Sequence, residues 1–324
     1  MSRTSTELAR HALNGPTMGT RWSALFHAPA GFDAGTVRSA LQAAVDEVDA
    51  QMSTWKPDSE LMRLNGTPAG QWVSVPARLL DVLRLGLAIG RASGGAFDIG
   101  MGDAVIAWGF GAAQASPNRI RSAIKARRVP AHDALEIDGT RVRKRVPITL
   151  DLNGIAKGYG VDRLAGVLGS FGIRDGLVGI DGEMRAMGLR PDGEAWTVAV
   201  EQPDPERRAP HSLLSLEDCA VATSGDYRHW IDVQGRNLSH TMDPARGAPL
   251  AQSPASVTVL APTCAEADAW ATALMVLGAD DGGELARRLG IDALFLLRGA
   301  CGIRSCGTGR LFGDVTMAVR AWGG

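Results

Sequence analysis

No stretch of this sequence reaches the roughly 18 consecutive apolar residues that a membrane span requires. The opening "MSRTSTELARHALNG" also lacks the unbroken apolar segment of a secretory signal. As written, the chain reads as cytoplasmic; a native start further upstream would make it periplasmic. An excess of either charge is missing too: 34 Lys and Arg face 35 Asp and Glu, with no run of like charge long enough for a tail or a nucleic-acid arm. A nucleic-acid partner is therefore not expected. Cysteine is sparse. Cys219, Cys264, Cys301 and Cys306 show no C-x-x-C spacing, and the expectation is free thiols rather than a metal centre or a disulfide framework. The two phosphate-binding fingerprints, G-x-G-x-x-G and G-x-x-x-x-G-K-[ST], are absent, which argues against a spelled Rossmann site or Walker loop. Internal repeats and low-complexity tracts are absent as well.

Core-forming material is plentiful: 45% of 324 residues are hydrophobic, enough for one large domain or two of ordinary size. From Thr17 to His27 polar and apolar residues alternate loosely, the mark of a strand. The stretch "TVRSALQAAVDEVDAQM" then sets Leu41, Val45, Val48 and Met52 on one helical face. A second helix, "PARLLDVLRLGLAIGRAS", ends before Gly94 and Gly95. "ITLDL" reads as a short strand feeding a Gly-rich turn, and "AKGYGVDRLAGVLGSF" as a helix with Val161, Leu164 and Leu168 aligned. Further strands are expected at "GLVGI", "AWTVAVE", "CAVATS", "ASVTVLA" and "DALFLLR", with the helix "AEADAWATALMVLG" among them. The charged, Pro-containing "EQPDPERRAP" reads as an exposed loop. Helices come early and strands cluster later without strict alternation, which favours an α+β fold over a doubly wound one.

Three segments carry candidate chemistry. In "DLNGIAKGYG" a helix start would present free backbone N–H groups at the positive end of its dipole, with Lys157 beside them. A plain strand-to-helix turn needing glycine explains the same residues equally well. In "TCAEADAWATALMVLG", Thr263 and Glu266 have capping-box spacing, and Asp268 and Thr272 lie one helical turn apart. A carboxylate and a hydroxyl so stacked offer hard oxygens suited to Mg²⁺. The competing reading has Thr272 bonding back to the carbonyl one turn earlier and Asp268 favoured simply by the dipole. In "LSHTMDPARGAPL", His240 could act as a general base with Asp243 nearby to orient it. Trp55 and Phe97 could stack on a planar ring, or could be ordinary core aromatics, and Met18 alone reads as core.

Taken in order, "MGTRW", "MSTWKPDSELMRLN", "GGAFDIG", "WGFG", "DLNGIAKGYGVDRL", "GLVGIDGEMRAMG", "AVATSGDYRHW", "SHTMDPARGAPL" and "ADAWATALMVLG" resemble the ApbE family. These are the FAD:protein FMN transferases, once labelled thiamine-biosynthesis lipoproteins. The resemblance spans roughly residues 16 to 300 and implies an α+β fold with mixed or antiparallel sheets and an FAD site in a cleft between sub-domains. It also implies one such domain over residues 16–324 after a poorly ordered 1–15. By similarity, Asp151 and Lys157 contact FAD, and the main-chain carbonyl of Gly154 joins Asp268 and Thr272 around Mg²⁺, with Mn²⁺ an alternative. Met18, Trp55, Ala96, Phe97, Asp98 and Met242 match positions lining the flavin nucleotide, and His240, in the Ser-His-x-x-Asp-Pro pattern, is the candidate base.

The activity so implied is Mg²⁺-dependent transfer of FMN from FAD to a Thr or Ser hydroxyl of a partner protein, releasing AMP. An FAD pyrophosphatase giving FMN and AMP, or a non-catalytic FAD-binding protein, are the alternatives. This chain departs from the family at Trp55, where Tyr is common, at Ile99, where Pro is common, and at Asn153, which replaces a frequent Gly. "IDGEM" stands where Gly-Gly-acid is usual, so Asp181 adds a charge, and the lipoprotein signal of many members is missing.

Overall fold

The structure, a computed structural model, describes residues 8–29, 31–204, 206–227, 230–233, 236–251, 253–299, 302–313 and 316–318. The chain opens with a hairpin, β1 (Leu8–Thr17) and β2 (Thr20–Pro29), then α1 (Ala34–Met52), capped by Asp33, which accepts from the N–H groups of Gly35 and Thr36. A mainly helical stretch follows: α2 (Glu60–Gly66), β3 (Trp72–Ser74), α3 (Ala77–Ala92), α4 (Gly102–Trp108), α5 (Pro117–Lys125), α6 (Ala131–Ala134), β4 (Leu135–Asp138) and β5 (Arg141–Lys144). After α7 (Ala156–Ser170) the chain is mostly strand: β6 (Gly176–Ile180), β7 (Glu183–Met187), β8 (Trp196–Glu201), β9 (Pro210–Leu216) and β10 (Ala220–Gly225). Four short strands come next, β11 (Trp230–Val233), β12 (Arg236–Ser239), β13 (Met242–Asp243) and β14 (Ala248–Pro249). The last part is β15 (Ser256–Ala261), α8 (Cys264–Leu289), β16 (Asp292–Gly299), β17 (Gly302–Thr308), α9 (Gly309–Phe312) and β18 (Thr316–Ala318).

Nine strands form one sheet in the order β1-β2-β6-β7-β10-β15-β16-β17-β18, and every neighbouring pair is antiparallel. This is the α+β arrangement expected from the order of elements. One face is covered by helices because the strand residues aimed there are apolar. Trp22 and Phe26 of β2 and Val178 and Ile180 of β6 bury against Val37, Leu41 and Val45 of α1 and Val161, Leu164 and Leu168 of α7. Each such side chain contributes about 1.5–3 kcal/mol by leaving water. Alternation sends Ala186, Val221 and Leu260 to the opposite face, where Trp196 and Leu216 of the β8–β9 hairpin cover them.

α8 lies between two layers, and its alanines explain how. Ala265, Ala269 and Ala273 pack into the helical layer with Leu61, Leu79, Leu83, Phe97 and Ile155, while Ala267, Ala271 and Leu274 pack on the sheet with Val257, Val259 and Phe295. Small side chains on both faces let the helix approach both layers closely, and Asp268 and Thr272 fall on the edge between them. At Gly278 (φ 77°) the backbone leaves helical geometry, so the regular run ends where the sequence places its stop.

Three differences from the sequence reading have physical causes. Residues 8 to 15, expected to lie outside the folded domain, belong to β1, whose register with β2 runs from Leu8–Pro29 to Thr17–Thr20. "ITLDL" is not a strand beyond a single parallel bridge between Thr149 and Met101. The amide side chain of Asn65 takes the place of a partner strand: Leu150 N–H donates to Asn65 Oδ1 at 2.7 Å, and Asn65 Nδ2 donates to Leu150 O at 2.9 Å. The strand β7 escaped notice although Asp-Gly between apolar runs is a hairpin signal; here Asp181 and Gly182 make the two-residue turn, with Ile180 opposite Glu183. Cys219, Cys264 and Cys306 form no disulfide, and Cys301 lies outside the described residues.

Candidate active site

Between the helical layer and the sheet lies a cleft of about 1390 Å³. It exceeds the usual range of roughly 300–1,000 Å³ for small-molecule sites and suits an elongated ligand. From the helical side come Trp55, Ala96, Phe97 and Asp98; from the sheet side and its helices come Met18, Asp151, Gly154, Lys157, Asp268 and Thr272. His240 enters from the segment between β12 and β13, and Met242 from the start of β13. The cleft thus brings together the candidate base, flavin-lining and metal residues named from the sequence, whereas Asp243, read as a partner for His240, is not among its lining residues.

Its floor is built by the meeting of α7 and α8. A Cβ at Gly158 would stand 2.3 Å from the carbonyl oxygen of Cys264, so only glycine lets the start of α7 touch the start of α8. Gly158 N–H then donates to Asp268 Oδ2 at 3.0 Å, aiming the positive end of α7 at this carboxylate. Asp162, one turn further along α7, accepts from the N–H groups of both Cys264 and Ala265 at 2.9 Å and from Arg185 at 2.6 Å. It caps α8 from outside, alongside the expected cap by Thr263, which accepts from Glu266 N–H at 3.3 Å. These contacts fix Asp268 and Thr272 relative to Lys157.

Burial governs the electrostatics of the floor. Asp268 is 6% exposed; desolvation first, then the nearby Glu183 charge, push its carboxyl up to about 7 against the pull of Lys157 and of Gly158 N–H. Asp151 is raised by burial to about 6, only partly offset by Asn153 N–H, which donates to its Oδ1 at 2.9 Å. Lys157 loses by desolvation but gains more from Glu183, Asp268 and Asp181, and is held above the ordinary lysine value. Its Nζ lies 2.6 Å from Glu183 Oε1 and 3.7 Å from Asp181 Oδ2. Asp181, the extra charge in the family pattern, thus stands on the open side of the same ammonium, with its backbone in the left-handed region (φ 57°).

The donor set fits a hard divalent cation. A Cβ at Gly154 would stand 3.1 Å from Thr272 Oγ1, so the main chain of Gly154 lies close to that hydroxyl. Thr272 Oγ1 also shares a 3.1 Å hydrogen bond with Ser224 Oγ on β10, which orients it from the sheet. One buried carboxylate, one hydroxyl and one main-chain carbonyl are oxygen ligands of the kind Mg²⁺ takes while keeping places for phosphate and water. Among the described residues no group of three or more His, Cys, Asp or Glu is arranged for a metal.

The walls are less polar. Phe97 is buried in the helical layer, and Asp98 is committed to the wall itself: its Oδ1 accepts from the N–H groups of Gly100 at 2.8 Å and Ala131 at 3.0 Å. Met242 packs with Met101, Ala104 and Ala107, and Trp108 Nε1 donates to Gly247 O at 3.0 Å, pinning the segment after β13 to α4. His240 is exposed at the opening, while Asp243 accepts from Ala245 N–H at 2.9 Å in a local turn. Trp55 is 60% exposed at the mouth. The β8–β9 hairpin and its connecting loop contribute Val198, Glu201, Arg208 and Leu213 to the lining. Sequence reasoning missed Glu183, Ser224, Asp162 and this hairpin wall. An acid at the head of an apolar strand was the available signal for Glu183; Asp162 had none, and the expected strand "AWTVAVE" of the hairpin carried no sign of its place in the cleft wall.

A model of the ApbE family matches residues 18–295. The FAD:protein FMN transferase of Vibrio cholerae is 36% identical over 291 residues, 88% of this chain and 87% of that protein. The FAD:protein FMN transferase of Escherichia coli (strain K12) is 34% identical over 294 residues, 88% of this chain and 84% of that protein. Among solved structures, the flavin transferase ApbE from Vibrio cholerae gives a TM-score of 0.82 at 34% identity, covering 93% of this chain and 98% of its own. The apo form of the Pseudomonas stutzeri flavinyl transferase ApbE gives 0.83 at 35% identity, covering 95% and 98%. By sequence, by fold and by the cleft in which its motifs meet, the chain belongs to the ApbE family.

Proposed function

We propose that this protein binds FAD in the cleft together with Mg²⁺ or Mn²⁺, and transfers FMN from FAD to a Thr or Ser hydroxyl of a partner protein, releasing AMP. The observation that carries the reading is the convergence of buried Asp268, Thr272 and the Gly154 main chain beside Lys157 at the start of α7. Lys157 faces Asp181, Glu183 and Asp268, with Asp151 in the same cleft, so a pyrophosphate dianion would be repelled without a further cation. Asp268, Thr272 and Gly154 would hold a divalent ion, which would supply that charge, worth several kcal/mol in the transition state.

The chemistry is displacement at phosphorus. The acceptor oxygen forms a bond to the FMN phosphorus, the bridging P–O bond breaks, and AMP leaves with the bonding pair. His240 takes the hydroxyl proton, an effect of about 10²–10⁴ in rate when the base is well placed. Lys157 and Asp151 hold the nucleotide, Met18, Ala96, Phe97, Asp98 and Met242 shape its walls, and Trp55 stacks on a ring at the mouth. Because His240 is exposed, water can reach the same place as an acceptor hydroxyl, and FAD pyrophosphatase is the competing reading.

Intact mass spectrometry of a flavin-accepting protein, incubated with this chain, FAD and Mg²⁺, separates the two. A gain of one FMN on Thr or Ser with release of AMP, absent with Asp268→Ala, is expected. Release of FMN and AMP without a mass gain on any acceptor would instead establish the pyrophosphatase.

A further inference from the structure

Glu183 is a buried acid that the chemistry above leaves unused. It is 4% exposed, its Oε1 accepts from Lys157 at 2.6 Å, and its Oε2 is buried with no hydrogen-bond partner. Keeping a carboxylate out of water with one oxygen unpaired is costly even when the other is paired. The charge at this position therefore calls for a role in the cleft.

Lys157 faces acids from three elements: Asp181 in the turn between β6 and β7, Glu183 at the head of β7 and Asp268 on α8. Its neighbour Gly158 donates directly to Asp268, which places the lysine stem close to that carboxylate. A lysine is a point charge on a flexible four-carbon stem, and an ammonium paired with Asp268 would cancel the one charged ligand available to a metal. The backbone of Glu183 is fixed. It sits opposite Ile180 in a hairpin closed by only two residues, and β7 is paired on its other side with β10. A carboxylate on such a strand cannot follow the lysine. Asp181, at 3.7 Å and with its side chain 46% exposed, is the weaker competitor.

We propose that Glu183 is a positioning residue that holds Lys157 off Asp268, so that the ammonium and a divalent cation occupy separate places on the cleft floor. The inference rests on the reading of Asp268 as a metal ligand.

The test is a double-mutant cycle on Mg²⁺ affinity, measured by isothermal titration calorimetry on the full chain. The four proteins are wild type, Glu183→Gln, Lys157→Ala and the double variant. Glu183→Gln is expected to weaken Mg²⁺ binding about tenfold, within the range for coupled neighbours. In the Lys157→Ala background the same change is expected to cost no more than about twofold, because no ammonium remains to invade Asp268. Equal weakening in both backgrounds means that Glu183 acts only through its field on the cation, and overturns the proposal, as does unchanged binding in Glu183→Gln. A wild type that binds no Mg²⁺ overturns the metal reading and this inference together, so the two failures are distinguishable. Thermal melts accompany each variant, and if Glu183→Gln does not fold, Glu183→Asp takes its place in the cycle. That change keeps the charge but withdraws the carboxylate by one methylene, and the same background dependence decides.

Discussion

The floor and the mouth of the cleft are built on opposite principles. At the floor, Asp268 on α8 and Glu183 on β7 are 6% and 4% exposed, and both accept hydrogen bonds from α7. At the mouth, Trp55 and Leu213 are 60% and 68% exposed, and His240 is open to solvent. Charge is thus concentrated where water is scarce and interactions are strong, while the aromatic, aliphatic and basic groups sit where a macromolecular acceptor can reach them. A transferase with a small donor and a large acceptor needs that division: fixed geometry around the phosphates, access around the incoming hydroxyl.

The division is tested first where the largest effect is expected. Asp268→Ala should lower the rate of FAD cleavage with Mg²⁺ by about 10³ or more, the loss of a metal's several kcal/mol of charge stabilisation. His240→Ala should cost about 10² in acceptor modification while FAD affinity, read by fluorescence quenching, stays unchanged. Turnover that survives His240→Ala intact would move the base elsewhere and remove chemistry from the mouth altogether.

The two regions were not equally legible in the sequence. The residues of the floor that lie on one helix, Asp268 and Thr272 with the Thr263 cap, follow from spacing and helical period alone. Their meeting with "DLNGIAKGYG" does not, because it depends on Gly158 approaching Cys264, a contact between segments about a hundred residues apart. Local pattern carries no information about that distance; the family resemblance supplied it. Most buried strands were readable from apolar runs, whereas β1 and β9 were not, since their alternation is interrupted by polar and exposed residues. "ITLDL" misled for the converse reason: a strand-like run can be satisfied by one asparagine side chain instead of a neighbouring strand.

Smaller effects probe what holds the floor rigid. Asp162→Ala strips the N–H groups of Cys264 and Ala265 of their partner and should destabilise the protein by about 1–3 kcal/mol, seen as a lower Tm. If Tm is unchanged, the helix junction is not the frame it is taken to be. The floor acids also predict a pH dependence. Asp151 and Asp268 have folded values raised to about 6 and about 7 from 3.8, so the folded state holds protons that the unfolded chain has released. Stability of the metal-free protein is then unaffected by these groups below 3.8 and declines as pH rises from there toward about 7. Tm in chelator should fall between pH 5 and pH 8, and Mg²⁺ should raise it at pH 8 far more than at pH 5, because the cation competes with the proton for Asp268.

The smallest expected effect separates the two uses of the mouth. Trp55 is so exposed that Trp55→Ala should leave Tm nearly unchanged, and its consequence therefore reports on ligand contact alone. Losing a stacking face should weaken FAD binding by about 1–2 kcal/mol, roughly tenfold in Kd, with little change in the rate of cleavage of bound FAD. Trp55→Tyr, which keeps the face, should bind FAD nearly as the wild type does. If Trp55→Ala instead binds FAD normally but modifies its acceptor protein slowly, the indole belongs to the acceptor's landing surface along with Leu213. The flavin would then be held wholly by the buried walls, with Phe97 and Met242 as its apolar contacts.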